Sequence, residues 1–171
     1  VRDPVWHIAS LIKQHKLFCA GEADNPRAIA HMQRVGHYEF GLDRRPINTG
    51  DLHETFAIMK LWTNGNEIEG WARYWSNLHH YLADRMIVNK DLAKATLVVR
   101  YEDLVADPAQ QLTSLFDHVE LDDAGPLIDR VAPTIHAPDY YRPKFDEGEI
   151  ALIRDITQIA AKRFGYDAVS V

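Results

Sequence analysis

The sequence is short of cysteine, of long apolar runs and of positive net charge. Its one cysteine, Cys19, has no second cysteine with which to form a disulfide within the chain. No apolar stretch approaches the roughly 20 residues that a membrane-spanning helix needs, and no signal-peptide pattern follows the charged start. We therefore expect a protein of a reducing compartment, the cytoplasm, with no membrane partner.

The overall charge and composition narrow the class of protein further. The 171 residues carry a formal net charge of −6, which argues against broad electrostatic attraction to nucleic acid. A hydrophobic content of 46% with 26% charged residues is typical of a soluble globular domain. We expect residues 1–171 to form a single domain, with an oligomeric state that the sequence leaves open.

Helix-start signals recur along the chain. A capping side chain precedes a proline, the favoured first helical residue, in three places: Asp3-Pro4, Asn25-Pro26 and Asp107-Pro108. Two further pairs have capping-box spacing: Asp51 with Glu54, and Asp146 with Glu149. Apolar residues then recur at steps of three and four, which predicts one core-facing helical stripe: Ile68, Trp71, Trp75, Leu78 and Leu82. The chain is therefore expected to be mostly helical.

One segment reads as a β-strand instead. The β-branched run from Thr96 to Val99 is short and uniformly apolar, which is typical of a strand covered on both faces. A helix start at Asp107-Pro108 follows it, as in a β–α unit. We therefore predict an α/β fold in which Val98 and Val99 lie in a central parallel strand, whose sheet partners come from elsewhere, upstream of Val1.

Arg2 and Ser10 are the first candidate binding residues. Arg2 would stand at the carboxyl end of a strand and Ser10 in the helix that follows, where α/β sheets bind anions. A guanidinium fork and a hydroxyl would together hold a phosphate. The alternative is that Arg2 pairs with a surface carboxylate and Ser10 is a small residue that allows close packing.

Two blocks of sequence resemble a known family. "VRDPVWHIASL", with arginine and serine eight residues apart, and "VRYEDLVADP" look like the sulfotransferases that use 3′-phosphoadenosine-5′-phosphosulfate, and the ending "RFGYD" is usual in bacterial members. The resemblance implies that Arg2 and Ser10 bind the cofactor's 3′-phosphate and that Tyr101 contacts its adenine. Glu102 and Asp103 also match, and we interpret them as structural carboxylates that close a turn.

The resemblance also implies a fold and a reaction. The family has a three-layer, P-loop-like nucleotide-binding fold and transfers a sulfuryl group to an acceptor hydroxyl or amine of a small molecule or carbohydrate. No lysine-bearing glycine-rich loop for the phosphosulfate occurs in these residues. We therefore expect the carboxyl-terminal part of a larger sulfotransferase domain, with the phosphosulfate loop and the catalytic acid/base upstream and with this segment alone inactive.

Further residues are candidates for a lid, an acceptor pocket or a metal site. Tyr141 and Arg142 would replace the family's absent Arg-Lys-Gly lid, or would form a proline-flanked surface loop. Trp62, Tyr74 and Tyr81 would line an acceptor pocket, or would belong to the core. The nine histidines show no metal-ligand spacing, so no metal site is expected. We expect His7 to be exposed on the first helix and Cys19 to be a buried small hydrophobe.

Two other functions are also compatible with the sequence. One is a nucleotide-dependent phosphotransferase of related fold, which would prefer a nucleotide without a 3′-phosphate. The other is a non-catalytic helical binding module, in which the apolar run 96–99 is not part of a sheet.

Overall fold

Helices make up the regular structure of the described chain. The computed structural model describes residues 1–36, 38–137 and 142–166, and within these ranges it contains helices and no β-strand. The elements are α1 (Pro4–Asp24), α2 (Pro26–Val35), α3 (Leu52–Thr63), α4 (Glu67–Val88), α5 (Lys90–Lys94), α6 (Tyr101–Ala106), α7 (Pro108–His118), α8 (Gly125–Val131), a 3₁₀ turn (Ala132–Thr134) and α9 (Glu147–Lys162). Among the described helices, none combines the length and apolar character that crossing a membrane requires.

Side-chain caps start the helices where the sequence predicts them. The Asp51 carboxylate accepts from the backbone nitrogen of Glu54 at 2.9 Å, which starts α3. Asp146 and Glu149 form both hydrogen bonds of a capping box at α9. At the other end of α2, Gly36 takes the left-handed conformation, with φ 81°, that closes a helix. These predicted boundaries are confirmed, as are those at Asn25 and Asp107.

The predicted α/β fold with a central parallel strand is wrong. Residues 96–100 belong to no helix or strand, and Leu97 and Val98 are 37% and 40% exposed. At the carboxyl-terminal end of this segment, the Val1 nitrogen donates to the Val99 oxygen, and the Tyr101 nitrogen donates to the Val1 oxygen. A β-branched run favours an extended conformation, but a strand also requires a second strand alongside, and the described residues contain none.

The chain divides into two compact units. The first unit comprises Val1–Asp3 and Ala83–Arg142, and the second comprises Pro4–Leu82 and Pro143–Val171. In the first unit, α7 packs on α6 and α8. In the second unit, α1 packs on α2 and α9.

The core of the second unit is rich in aromatic and branched side chains. Its fully buried members include Ile8, Ile58, Trp71, Trp75 and Ile153. The predicted stripe of α4 is therefore buried at its two tryptophans. It is exposed farther along the helix, since Leu82 is 50% exposed.

Candidate functional site

The first three residues of one block that carries the family resemblance, Val1–Asp3, meet the other block within the first unit. The backbone nitrogen of Val1 donates to the Val99 carbonyl oxygen at 2.6 Å, and the Tyr101 nitrogen donates to the Val1 oxygen at 2.7 Å. One residue farther, the Asp3 nitrogen donates to Oε1 of Glu102 at 3.0 Å. Val1–Asp3 is therefore held against the start of α6.

This backbone pairing brings Arg2 onto Tyr101. The guanidinium carbon of Arg2 lies 4.5 Å from the centroid of the Tyr101 ring, which is a cation–π contact between two half-buried side chains. Stacking uses the flat face of the guanidinium, whereas its N–H donors lie in the plane of the group. The contact therefore places a cationic side chain on an aromatic ring within the first unit.

The acidic residues at the start of α6 have structural contacts. Glu102 accepts from the backbone nitrogen of Asp3, as noted above, which is a structural contact with a distant segment; the closure of a turn by Glu102 and Asp103 stays a prediction. Oδ2 of Asp103 lies 3.7 Å from Nε of Arg100, three residues earlier, and the two side chains are half-buried. An ion pair of this kind contributes little to stability.

The other predicted cofactor residues are Ser10, Tyr141 and Arg142. Ser10 is exposed on α1, which belongs to the second unit. Arg142 is exposed at the end of the first unit, and Tyr141 lies outside the described residues. Of the predicted set, the structure therefore brings together Arg2 and Tyr101.

In the second unit, His7 contacts Trp75 and Cys19 contacts His15. In the described ranges, no three His, Cys, Asp or Glu side chains lie in a group that would hold a metal ion; His37 is outside those ranges. His7 is half-buried rather than exposed, because its Nδ1 accepts from the Trp75 indole nitrogen at 2.9 Å. Cys19 is half-buried and lies 3.5 Å from Nε2 of His15. Its partial burial raises the pKa of the thiol, which argues against a reactive thiolate.

A cluster around Arg44 was not predicted from the sequence. The guanidinium of Arg44 donates from both terminal nitrogens to the two carboxylate oxygens of Glu67. It also lies 4.5 Å from the ring centroid of Trp62, and Trp71 donates its indole N–H to Glu67 at 3.1 Å. The Arg44 side chain is only 11% exposed, so the pair is held in a fixed geometry.

The electrostatics of this cluster are balanced. Burial alone would raise the pKa of Glu67, but the hydrogen bond and charge of Arg44 lower it below its ordinary value. Glu67 is therefore a carboxylate that neutralises Arg44. Arg44 lies in the polar connection 36–51 between α2 and α3, and no motif signals the cluster, because a pair 23 residues apart follows no helical or strand spacing.

A cavity of about 280 Å³ lies beside Arg44. The connection contributes Gly41, Leu42 and Arg44 to its wall, α1 contributes His15, and α3 contributes Met59, Trp62 and Thr63. Three of its polar side chains have partners within the protein: Arg44 has Glu67, His15 has the Gly41 nitrogen, and the Thr63 hydroxyl donates to the Met59 oxygen. The buried indole nitrogen of Trp62 has no hydrogen-bond partner among the described residues.

Of the three aromatic residues predicted to line an acceptor pocket, Trp62 lies in the wall of this cavity. Tyr74 is buried in the core, with its ring centroid 5.5 Å from that of Trp62, and burial raises its pKa to about 12. Tyr81 is exposed and is not part of the cavity wall. The three aromatic residues therefore do not share one pocket.

We compared the chain with protein-family models, with curated proteins and with solved structures, and no match was found in any of the three comparisons.

Proposed function

We propose that the chain supplies the 3′-phosphate and adenine side of the cofactor site in a sulfotransferase that uses 3′-phosphoadenosine-5′-phosphosulfate. The acceptor would be a hydroxyl or amine of a small molecule or carbohydrate. The observation that supports the proposal is the Arg2–Tyr101 contact, at 4.5 Å. These two residues come from separate sequence blocks, and the family resemblance implies a cofactor contact for each block.

The two side chains suit two different groups of the nucleotide, the 3′-phosphate and the adenine. Arg2 would donate two N–H groups to phosphate oxygens, and Tyr101 would offer its ring to the adenine. Ser10 would add one neutral donor. When bound, the cofactor supplies the sulfuryl group, and the contribution of these residues is to bind and orient the nucleotide.

Calorimetric titration with two nucleotides tests the proposal. Adenosine 3′,5′-bisphosphate carries the 3′-phosphate, and adenosine 5′-phosphate lacks it. We expect Arg2→Ala to weaken binding of the bisphosphate by about 2–3 kcal/mol, and Ser10→Ala by about 1 kcal/mol. Binding of the 5′-phosphate should be unchanged in both variants.

Arg45→Ala is the matched control. Arg45 also lies over a tyrosine ring, 5.3 Å from the centroid of Tyr38, but in the second unit and outside the proposed site. This variant should bind both nucleotides as the wild type does. An equal loss for the two nucleotides in Arg2→Ala, or no loss for either, would contradict the assignment of Arg2.

A helical binding module without catalytic activity is the second candidate. The observation that favours it is that the described residues form helices and no strand, so a nucleotide-binding sheet is not among them. The same titration discriminates between the two functions. A protein that binds neither nucleotide would support the binding module and contradict the sulfotransferase proposal.

A further inference from the structure

Two backbone hydrogen bonds tie the connection 36–51 to α1. The Gly41 nitrogen donates to Nδ1 of His15 at 3.2 Å, and the adjacent Leu42 nitrogen donates to Oε2 of Glu22 at 2.6 Å. Gly41 and His15 both belong to the wall of the cavity beside Arg44. The first of these bonds therefore closes one side of that cavity.

The Gly41–His15 bond exists in only one protonation state of the ring. Nδ1 accepts a hydrogen bond when it carries no proton, and the proton of the neutral ring is then on Nε2. That atom lies 3.5 Å from Sγ of Cys19, which is a weak acceptor. A second proton on the ring would turn Nδ1 into a donor that faces the donor N–H of Gly41, and the bond would be lost.

The surroundings of His15 set the balance between the two states. The titratable and charged groups that face it are Lys16, Cys19 and Glu22 of α1, Arg44 of the connection and Glu67 of α4. Burial, followed by the charge of Arg44, lowers the pKa of His15, while Glu67 and Glu22 offset part of this effect. The closed arrangement therefore disfavours the protonated ring.

We propose that His15 is an acid-sensitive latch: its neutral ring holds Gly41 and closes the cavity wall, and protonation releases the wall at Gly41. Arg44, His15 and Thr63 of the cavity wall are engaged within the protein, and the one buried indole N–H of Trp62 does not by itself define a class of ligand. The released ring titrates near the ordinary histidine pKa of about 6.5, above that of the closed ring. The released population should therefore rise by up to about tenfold per pH unit as the pH falls below that value.

Hydrogen exchange of single backbone amides, followed by NMR, tests the latch. The protection factor of the Gly41 amide, corrected for the intrinsic exchange rate, should be constant near pH 7.5 and fall steeply between pH 6.5 and 5.5. The Arg45 amide is an internal control, since it donates to the Tyr38 carbonyl oxygen in the same connection at 2.6 Å and has no titrating partner. Its protection should not change over this range.

Two variants make the test specific to the ring. In His15→Phe the acceptor is absent, so the protection of the Gly41 amide should be low at every pH. In His15→Gln a side-chain carbonyl replaces the titrating acceptor, so any protection that remains should be independent of pH.

Three results would each overturn the latch. The first is protection of Gly41 in the wild type that does not change with pH. The second is a parallel fall at Gly41 and Arg45, which would indicate general unfolding. The third is an unchanged pH dependence in His15→Gln.

Discussion

His79 stacks on the indole of Trp75, with ring centroids 3.7 Å apart and ring planes inclined by 17°. Its Nδ1 lies 2.7 Å from the Trp75 carbonyl oxygen, which only accepts, so this nitrogen carries the proton. The ring of Phe164 meets it edge-on at 5.4 Å. His79 is 8% exposed, and burial lowers its pKa below the ordinary value.

We predict that this histidine makes the protein less stable in acid. In the unfolded chain His79 takes up a proton near pH 6.5, whereas the folded protein resists protonation until a lower pH. The free energy of unfolding should therefore fall as the pH decreases below about 6.5, by up to about 1.4 kcal/mol per pH unit from this group. Urea denaturation at pH 7.5, 6.5 and 5.5 measures the free energy of unfolding at each pH.

His79→Phe separates this effect from other titrations. The variant keeps an aromatic ring beside Trp75 but has no group that titrates, so its unfolding free energy should depend less on pH than that of the wild type. His31→Phe, at an exposed position of α2, serves as the control and should keep the wild-type slope. Equal slopes in all three proteins would rule out a contribution from His79.

Helix boundaries were predictable because their signals are local. A capping residue satisfies backbone donors two or three positions away, so Asp51, Asp107 and Asp146 identify their helices without knowledge of the rest of the chain. The apolar run 96–99 lacks this property. Whether it becomes a strand depends on a neighbour distant in sequence, and among the described residues Val1 bonds to Val99 without forming a strand.

For the candidate site, two of its residues were predictable from the sequence, but their contact was not. The sequence pointed to Arg2 and Tyr101 separately, and their contact arises from backbone pairing of residues about a hundred positions apart. Arg44 and Glu67 have no motif around them, and their pairing depends on the path of the connection over the second unit. Long-range ion pairs of this kind are set by tertiary packing, which spacing in the sequence does not encode.

Gly41 should be intolerant of a side chain. Its φ is +89°, and a Cβ atom there would overlap the carboxylate of the buried Glu22. We expect Gly41→Ala to lower the free energy of unfolding by about 2–3 kcal/mol, from backbone strain and displacement of a buried carboxylate. Chemical denaturation measures the loss.

Gly21→Ala provides the control for that substitution. Gly21 lies inside α1, and a Cβ there would meet no atom within 4 Å. Because alanine is favoured over glycine within a helix, this variant should be about 0.5–1 kcal/mol more stable than the wild type. A similar loss of stability in both variants would contradict the specific role of Gly41.

The Arg44–Glu67 pair should matter more than a pair at the surface. Glu67→Gln would leave the guanidinium of Arg44 without its counter-charge, and the Arg44 side chain is only 11% exposed. We therefore expect the free energy of unfolding to fall by about 2–3 kcal/mol. Asp43→Asn removes the charge partner of Arg45, where both side chains are more than 40% exposed, and should cost about 0.5 kcal/mol or less. Urea denaturation of the two variants side by side provides the comparison, and equal losses would mean that Arg44 is not effectively desolvated.

Val98 distinguishes the helical fold from the α/β fold that the sequence suggested. In a strand covered on both faces, Val98→Asp would bury an unpaired carboxylate and cost several kcal/mol. Because Val98 is 40% exposed, we expect a loss of only about 1 kcal/mol or less. Ile153→Asp, at a fully buried position of α9, should by contrast prevent stable folding. Thermal denaturation compares the stability of the two variants. A Val98→Asp protein as severely destabilised as Ile153→Asp would contradict the exposed position of Val98 and show that this valine is buried in solution.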